Sequence, residues 1–220
     1  MAAPAGTLAS SRLRRLAQRP SGGGGDARPQ VDEHCELCSA PIGGDHRHLL
    51  ELSSRELVCT CRPCSLLFDR PGSASGRYKL VPERRLRLES LVFSEEAWEE
   101  LRIPVEMAFF FHSSAEQRVL AYYPGAMGAT ESLLELSSWQ ELARENPILT
   151  GLEPDVEALL VNRTKGRSRH WLVPLDECYG LVGLIRTHWR GLSGGSEVWQ
   201  EIDRFFEELD GRARSAADGR

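Results

Sequence analysis

The sequence predicts an α+β protein in which a small cysteine-rich module leads an α+β domain with a mainly antiparallel sheet. Two observations carry this. Five of the six cysteines fall between Cys35 and Cys64. The residues after them form short β-type apolar segments and longer segments of helical periodicity, the latter preceded by capping residues. At 41% hydrophobic and 27% charged over 220 residues, the composition is that of an ordinary soluble protein, with enough apolar side chains for one sizeable core.

Residues 1–31 are rich in Ala, Gly, Pro, Ser and Arg and contain the run Gly22–Gly25, so they read as a disordered basic tail and linker. Leu13 and Leu16, set among arginines, suggest at most one basic amphipathic turn. Residues 32–72 are the cysteine-rich module. Within it HRHLLEL (46–52) and RELVCT (55–60) read as strands joined at Ser53-Ser54, and CRPCSLLF (61–68) reads as the start of a helix. The Gly/Ser break PGSASG (71–76) follows.

Residues 73–211 are the larger domain. Its candidate strands are RYKLV (77–81), RLRLESLVF (85–93), VEMAFFF (105–111), QRVLAYY (117–123), VEALLV (156–161) and RHWLVP (169–174). The unbroken apolar run in AFFF suits a strand covered on both faces. Helices are expected after Ser94, after Ser138 with Glu141 as a capping box, after Asp176 and after Ser196. In the last of these Trp199, Ile202, Phe205, Phe206 and Leu209 share a face and should meet the core. Residues 212–220 read as a second disordered tail.

Two Cys-x-x-Cys pairs, Cys35/Cys38 and Cys61/Cys64, are the strongest chemical signal. A two-residue loop lets both sulfurs of a pair reach one ion, and a hairpin between the pairs brings the second back to the first. This is the pattern of a zinc ribbon, or of a treble clef if the second pair sits on a helix's first turn. There the helix N-terminus favours thiolates. Zn2+ is the expected ion, with Fe as the alternative. Cys59 is a surplus thiol, either a substitute for Cys61 or a neighbour of the ion. His46 and His48 are further candidate ligands that would have to loop back. A rubredoxin-like iron–thiolate electron carrier is disfavoured by Ser39 and Ser65 where such sites carry Gly. An HNH-type nuclease, with His46 and His48 at a second metal, has the Asp45-His46 element, but the interval from His48 to Cys61 is too short for its usual second strand and helix.

Elsewhere chemistry is sparse. Cys178 shares a helical face with Val182, Ile185 and Trp189 and reads as a core thiol. Arg186, His188 and Arg190 form a cationic helix end. The helix dipole accounts for such a cluster, and an anion- or partner-binding patch is the functional alternative. The segment PGAMGATES (124–132) reads as tight turns that would suit a partner surface, without the lysine of a P-loop. His112 and His170 have no evident triad partners.

Net charge is −5, and the arginines of the tail leave the rest more acidic, which argues against nucleic acid as a partner. No apolar run reaches membrane-spanning length and no secretory h-region follows the first arginines. A cytoplasmic location is therefore expected, where clustered cysteines serve as metal ligands rather than disulfides.

The segments CELC, HRHLLEL, CTCRPCSLLF, IPVEMAFFF, YYPGAMGATES, PDVEALLVNR and VPLDECYGLVGLIRTHWRGLSGG together resemble an uncharacterised family, a domain of unknown function of high-GC Gram-positive bacteria. Its genes lie near those of nickel–iron uptake hydrogenases. The resemblance covers about residues 30–211. It implies an accessory role in hydrogenase maturation or assembly, with hydrogenase subunits or maturation factors as protein partners. The chain is accordingly expected to be a zinc-binding, non-catalytic accessory protein.

Overall fold

The computed structural model describes residues 33–68, 76–101, 103–132, 136–191 and 193–216. The expected tail and linker of 1–31, residues 71–75 of the Gly/Ser break and the last residues, 217–220, lie outside this set. Strands β1 (Glu33–His34) and β2 (Pro41–Ile42) form a two-stranded hairpin. Strands β3 (Arg47–Glu51) and β4 (Glu56–Thr60) pair antiparallel, with His48 opposite Cys59 and Leu50 opposite Leu57. Helix α1 (Arg62–Leu66) follows, with Pro63 in its first turn, where a missing N–H costs nothing. The second Cys-x-x-Cys therefore opens a helix, which is the treble-clef expectation.

Strand β5 (Tyr78–Leu80) lies past the Gly/Ser break, yet it pairs with β3 and completes a three-stranded sheet of order β4-β3-β5. The pairing sets Leu80 against Leu49, which is fully buried. An apolar strand with one open edge accepts the next extended segment in the chain.

The larger sheet comprises β6 (Leu86–Arg87), β7 (Met107–Ser113), β8 (Arg118–Gly125), β9 (Gly128–Ser132), β10 (Glu157–Asn162), β11 (Arg169–Pro174) and β12 (Arg214–Ser215). Their order is β12-β6-β11-β10-β7-β8-β9. Every pairing is antiparallel except that of β12 with β6. Helices α2 (Glu95–Glu100), α3 (Leu136–Glu145), α4 (Leu175–His188) and α5 (Gly195–Arg212) cover both faces. Met107, Phe109 and Phe111 of β7 join a core with α4 and α5, while Ala108 and Phe110 point to the opposite core with Trp98 and Leu142. The AFFF run is thus buried from both sides. Leu50, Leu57 and Val81 belong to the first of these cores, so the small sheet and the large one share apolar packing.

Several sequence expectations need correction. In RLRLESLVF only Leu86–Arg87 is strand, because Leu91 turns back to hydrogen-bond the Leu88 carbonyl. PGAMGATES is no loop: β8 runs through Gly125 and β9 begins at Gly128, leaving a tight hairpin turn. Helix α3 starts two residues before Ser138, and α4 starts at Leu175, which places Asp176 inside its first turn. On α5, Ile202, Phe206 and Leu209 are buried as expected, but Trp199 is 39% exposed and Val198 is buried in its stead. Arg214–Ser215, assigned by sequence to the C-terminal tail, adds β12, because the Arg214 N–H reaches the Arg85 carbonyl at 3.0 Å. Ser94 does cap α2, its hydroxyl accepting from the Ala97 N–H at 3.1 Å.

Helix α5 begins after Gly194, whose φ is +87°. A Cβ there would sit 2.8 Å from Val198 Cγ1, so this entry needs glycine for both conformation and space.

Candidate metal centre

The first pair of cysteines lies in the loop of the β1–β2 hairpin. The Ser39 N–H donates to the Cys35 carbonyl at 2.8 Å and the Cys35 N–H to Ala40 at 2.8 Å, while Ser39 adopts a positive φ of 60°. This tight turn places Cys35 and Cys38 side by side. The second pair lies where β4 ends: Cys61 precedes α1 in extended conformation, and Cys64 is in the helix. The Glu36 N–H donates to the Cys59 carbonyl at 2.9 Å, and Glu36 accepts from the Cys59 N–H at 3.1 Å. These two bonds hold the hairpin loop against the end of β4.

The four sulfurs of Cys35, Cys38, Cys61 and Cys64 all lie within 4.8 Å of one another. Cys38 Sγ and Cys61 Sγ are 3.6 Å apart. Tetrahedral Zn2+ with sulfurs at roughly 2.3 Å would space them by roughly 3.8 Å, so the donor set fits one ion with little movement. No pair among the six cysteines is joined as a disulfide.

The electrostatics point the same way. Burial acts to raise the Cys35 thiol, but backbone N–H groups of Cys61, Cys38 and Leu37 outweigh it and bring it down to about 6. Cys64 is pushed up to about 12, first by the thiol of Cys61, then by that of Cys38. Four thiols so close cannot all ionise alone, and a divalent cation is the natural countercharge.

His46, His48 and Cys59 do not join this set. They form a group of their own, again with ligand atoms within 4.8 Å of one another. Strand register explains the separation. His46 and His48 are two apart and share a face of the β3 segment, and Cys59 sits directly opposite His48 on β4. His48 Nδ1 lies 2.8 Å from Asp176 Oδ2, a partner 128 positions away that sequence reading assigned only to helix capping. His46 Nδ1 lies 2.8 Å from the Gly43 carbonyl and 3.3 Å from Glu33 Oε2. Neither Asp176 nor Glu33 carries a local sequence signal for a place beside these histidines.

The remaining candidates are placed elsewhere. Arg190 donates to the carbonyls of Thr187 and Trp189, and His188 Nδ1 lies 3.0 Å from the Leu184 carbonyl, so both turn back on the C-terminal end of α4. Arg186 is half-buried on the same turn. Cys178 is fully buried, and burial holds its thiol well above the usual range. His170 lies on β11, 2.9 Å from Ser168 Oγ. Among the described residues, no helix is long and apolar enough to cross a membrane.

Fold and site together define a class: an α+β protein, mainly antiparallel, with a four-cysteine group able to hold a metal ion. Residues 34–213 match the family model described as "Family of unknown function (DUF5947)", and the chain belongs to that family. No curated protein and no solved structure matches it.

Proposed function

We propose that the chain is a zinc-binding, non-catalytic accessory protein of the cytoplasm in which Zn2+ on Cys35, Cys38, Cys61 and Cys64 acts as a structural staple. One observation carries the reading: two elements distant in sequence bring four sulfurs within 4.8 Å, all from short pieces of structure. Strands β1 and β2 have two residues each and α1 has five, too little to hold a shape unaided. A bound cation would cross-link the hairpin loop to the helix start and favour all four thiolates. A closed set of four sulfurs leaves no position for a substrate.

For partners, the sequence resemblance supports nickel–iron uptake hydrogenase subunits or their maturation factors. The α+β domain supplies the contact surface.

Metal analysis and the visible spectrum of aerobically purified protein test the staple. Colourless protein whose zinc content drops in Cys38→Ser or Cys64→Ser is expected. A red iron–thiolate spectrum would overturn zinc and favour the electron carrier. Deleting the gene is expected to lower hydrogen uptake without lowering hydrogenase transcript, and unchanged uptake would remove the hydrogenase assignment.

A further inference from the structure

We propose that His46, His48 and Cys59 form a second metal site, separate from the four-cysteine set, for a borderline divalent cation such as Zn2+. The donor set is two imidazoles and a thiolate, which suits borderline ions and not hard ones such as Mg2+ or Ca2+. Three protein donors, rather than four, are the composition of sites that keep one position for water or an exchangeable ligand.

The arrangement around the rings is the second argument. The Gly43 carbonyl can only accept, so His46 Nδ1, 2.8 Å away, is the protonated nitrogen. The Asp176 carboxylate accepts in the same way from His48 Nδ1 at 2.8 Å. In a neutral imidazole this leaves Nε2 as the lone-pair donor on both rings. Metal-binding histidines are oriented by such bonds to a carboxylate or backbone carbonyl. Glu33, 3.3 Å from His46 Nδ1, adds a second carboxylate to the surround.

The third argument is an orphaned atom. His48 is 2% exposed, and its Nε2 is buried with no hydrogen-bond partner among the described residues. A buried ring nitrogen without a partner costs stability unless something satisfies it. A simple His48–Asp176 ion pair does not resolve this, because protonated His48 would bury an unmet N–H. A shared cation satisfies His48 Nε2, ligates His46 and binds the Cys59 sulfur together.

The test uses the reduced full-length chain, stripped of metal and titrated with Co2+ as a spectroscopic probe. Two tight equivalents are expected. Cys59→Ser and His46→Gln should each lose one, together with a mixed nitrogen–sulfur spectrum, and Cys38→Ser/Cys64→Ser should lose the other. Asp176→Asn, which removes no ligand, should weaken the second equivalent roughly 10–100-fold in chelator competition and leave the first unchanged. X-ray absorption of zinc-loaded wild type needs no variant and should show imidazole scattering. A single equivalent indifferent to Cys59→Ser and His46→Gln, or a shell of sulfur alone, overturns this site while leaving the four-cysteine reading intact. A single equivalent, lost on His46→Gln and retained in Cys38→Ser/Cys64→Ser, would overturn the four-cysteine site and sustain this one.

Discussion

His170 shows how the surroundings of one side chain become a pH dependence. It is 7% exposed on β11, its ring stacked near Phe93 with centroids 6.5 Å apart. Burial first, and the charge of Arg163 second, bring its pKa down from 6.5 to about 4. Between those values the unfolded chain takes up a proton that the folded chain refuses, so acid favours unfolding. The sign is therefore fixed: this contribution is intact above about pH 6.5 and is lost progressively as pH falls toward 4. Melting temperatures measured across this range should fall more steeply with acid for the wild type than for His170→Asn. Parallel curves would contradict the assignment. At the same scale, the cysteine pairs were legible in the sequence because a Cys-x-x-Cys turn is a local object. The roles of Asp176 and Glu33 were not, because each depends on which strand or helix is folded against the histidines.

At the scale of elements, legibility followed locality again. The α2 start was readable because Ser94 caps its own helix, with acceptor and donor three residues apart. The hairpin β3–β4 was readable from two apolar runs about a short connection, but its register was not. Register decides that Cys59 faces His48 rather than the four-sulfur group. That is why one excess of ligands in the sequence resolves into two groups in space. Strand β9 was hidden because the glycines at 125 and 128 punctuate the sequence like a loop, whereas they flank a hairpin turn whose φ at Gly128 is +120°. Strand β5 was read correctly as extended, but no local feature announces that β3 would be its neighbour. The hairpin tip adds another long-range tie. Arg55, at a positive φ of 56°, donates to Ser113 Oγ at 3.1 Å and pairs with Glu116 beyond β7.

At the scale of the molecule, these ties decide what metal removal should do. Leu50, Leu57 and Val81 are at most 7% exposed and lie in the core that α4 and α5 share with the large sheet. Each fully buried side chain of this kind contributes roughly 1.5–3 kcal/mol. The three together, with Arg55 at the tip, anchor β3, β4 and β5 independently of any ion. By contrast β1, β2 and α1 expose most of their residues, and Leu66 and Leu67 are 62% and 67% exposed. With so little burial, their order rests on the cross-link between the two cysteine pairs, since metal binding supplies folding free energy where packing cannot. Chelation under reducing conditions should therefore leave the main unfolding transition recognisable and melt only the cysteine-bearing end. Hydrogen exchange is the direct measurement. Protection should collapse at the Cys35 and Ser39 amides and through α1, persist at Leu49 and Leu50, and remain unchanged in β7 and β10. Global loss of protection on chelation would show instead that the ion holds the whole fold. Unchanged protection at Cys35 and Ser39 would show that the hairpin loop stands without it.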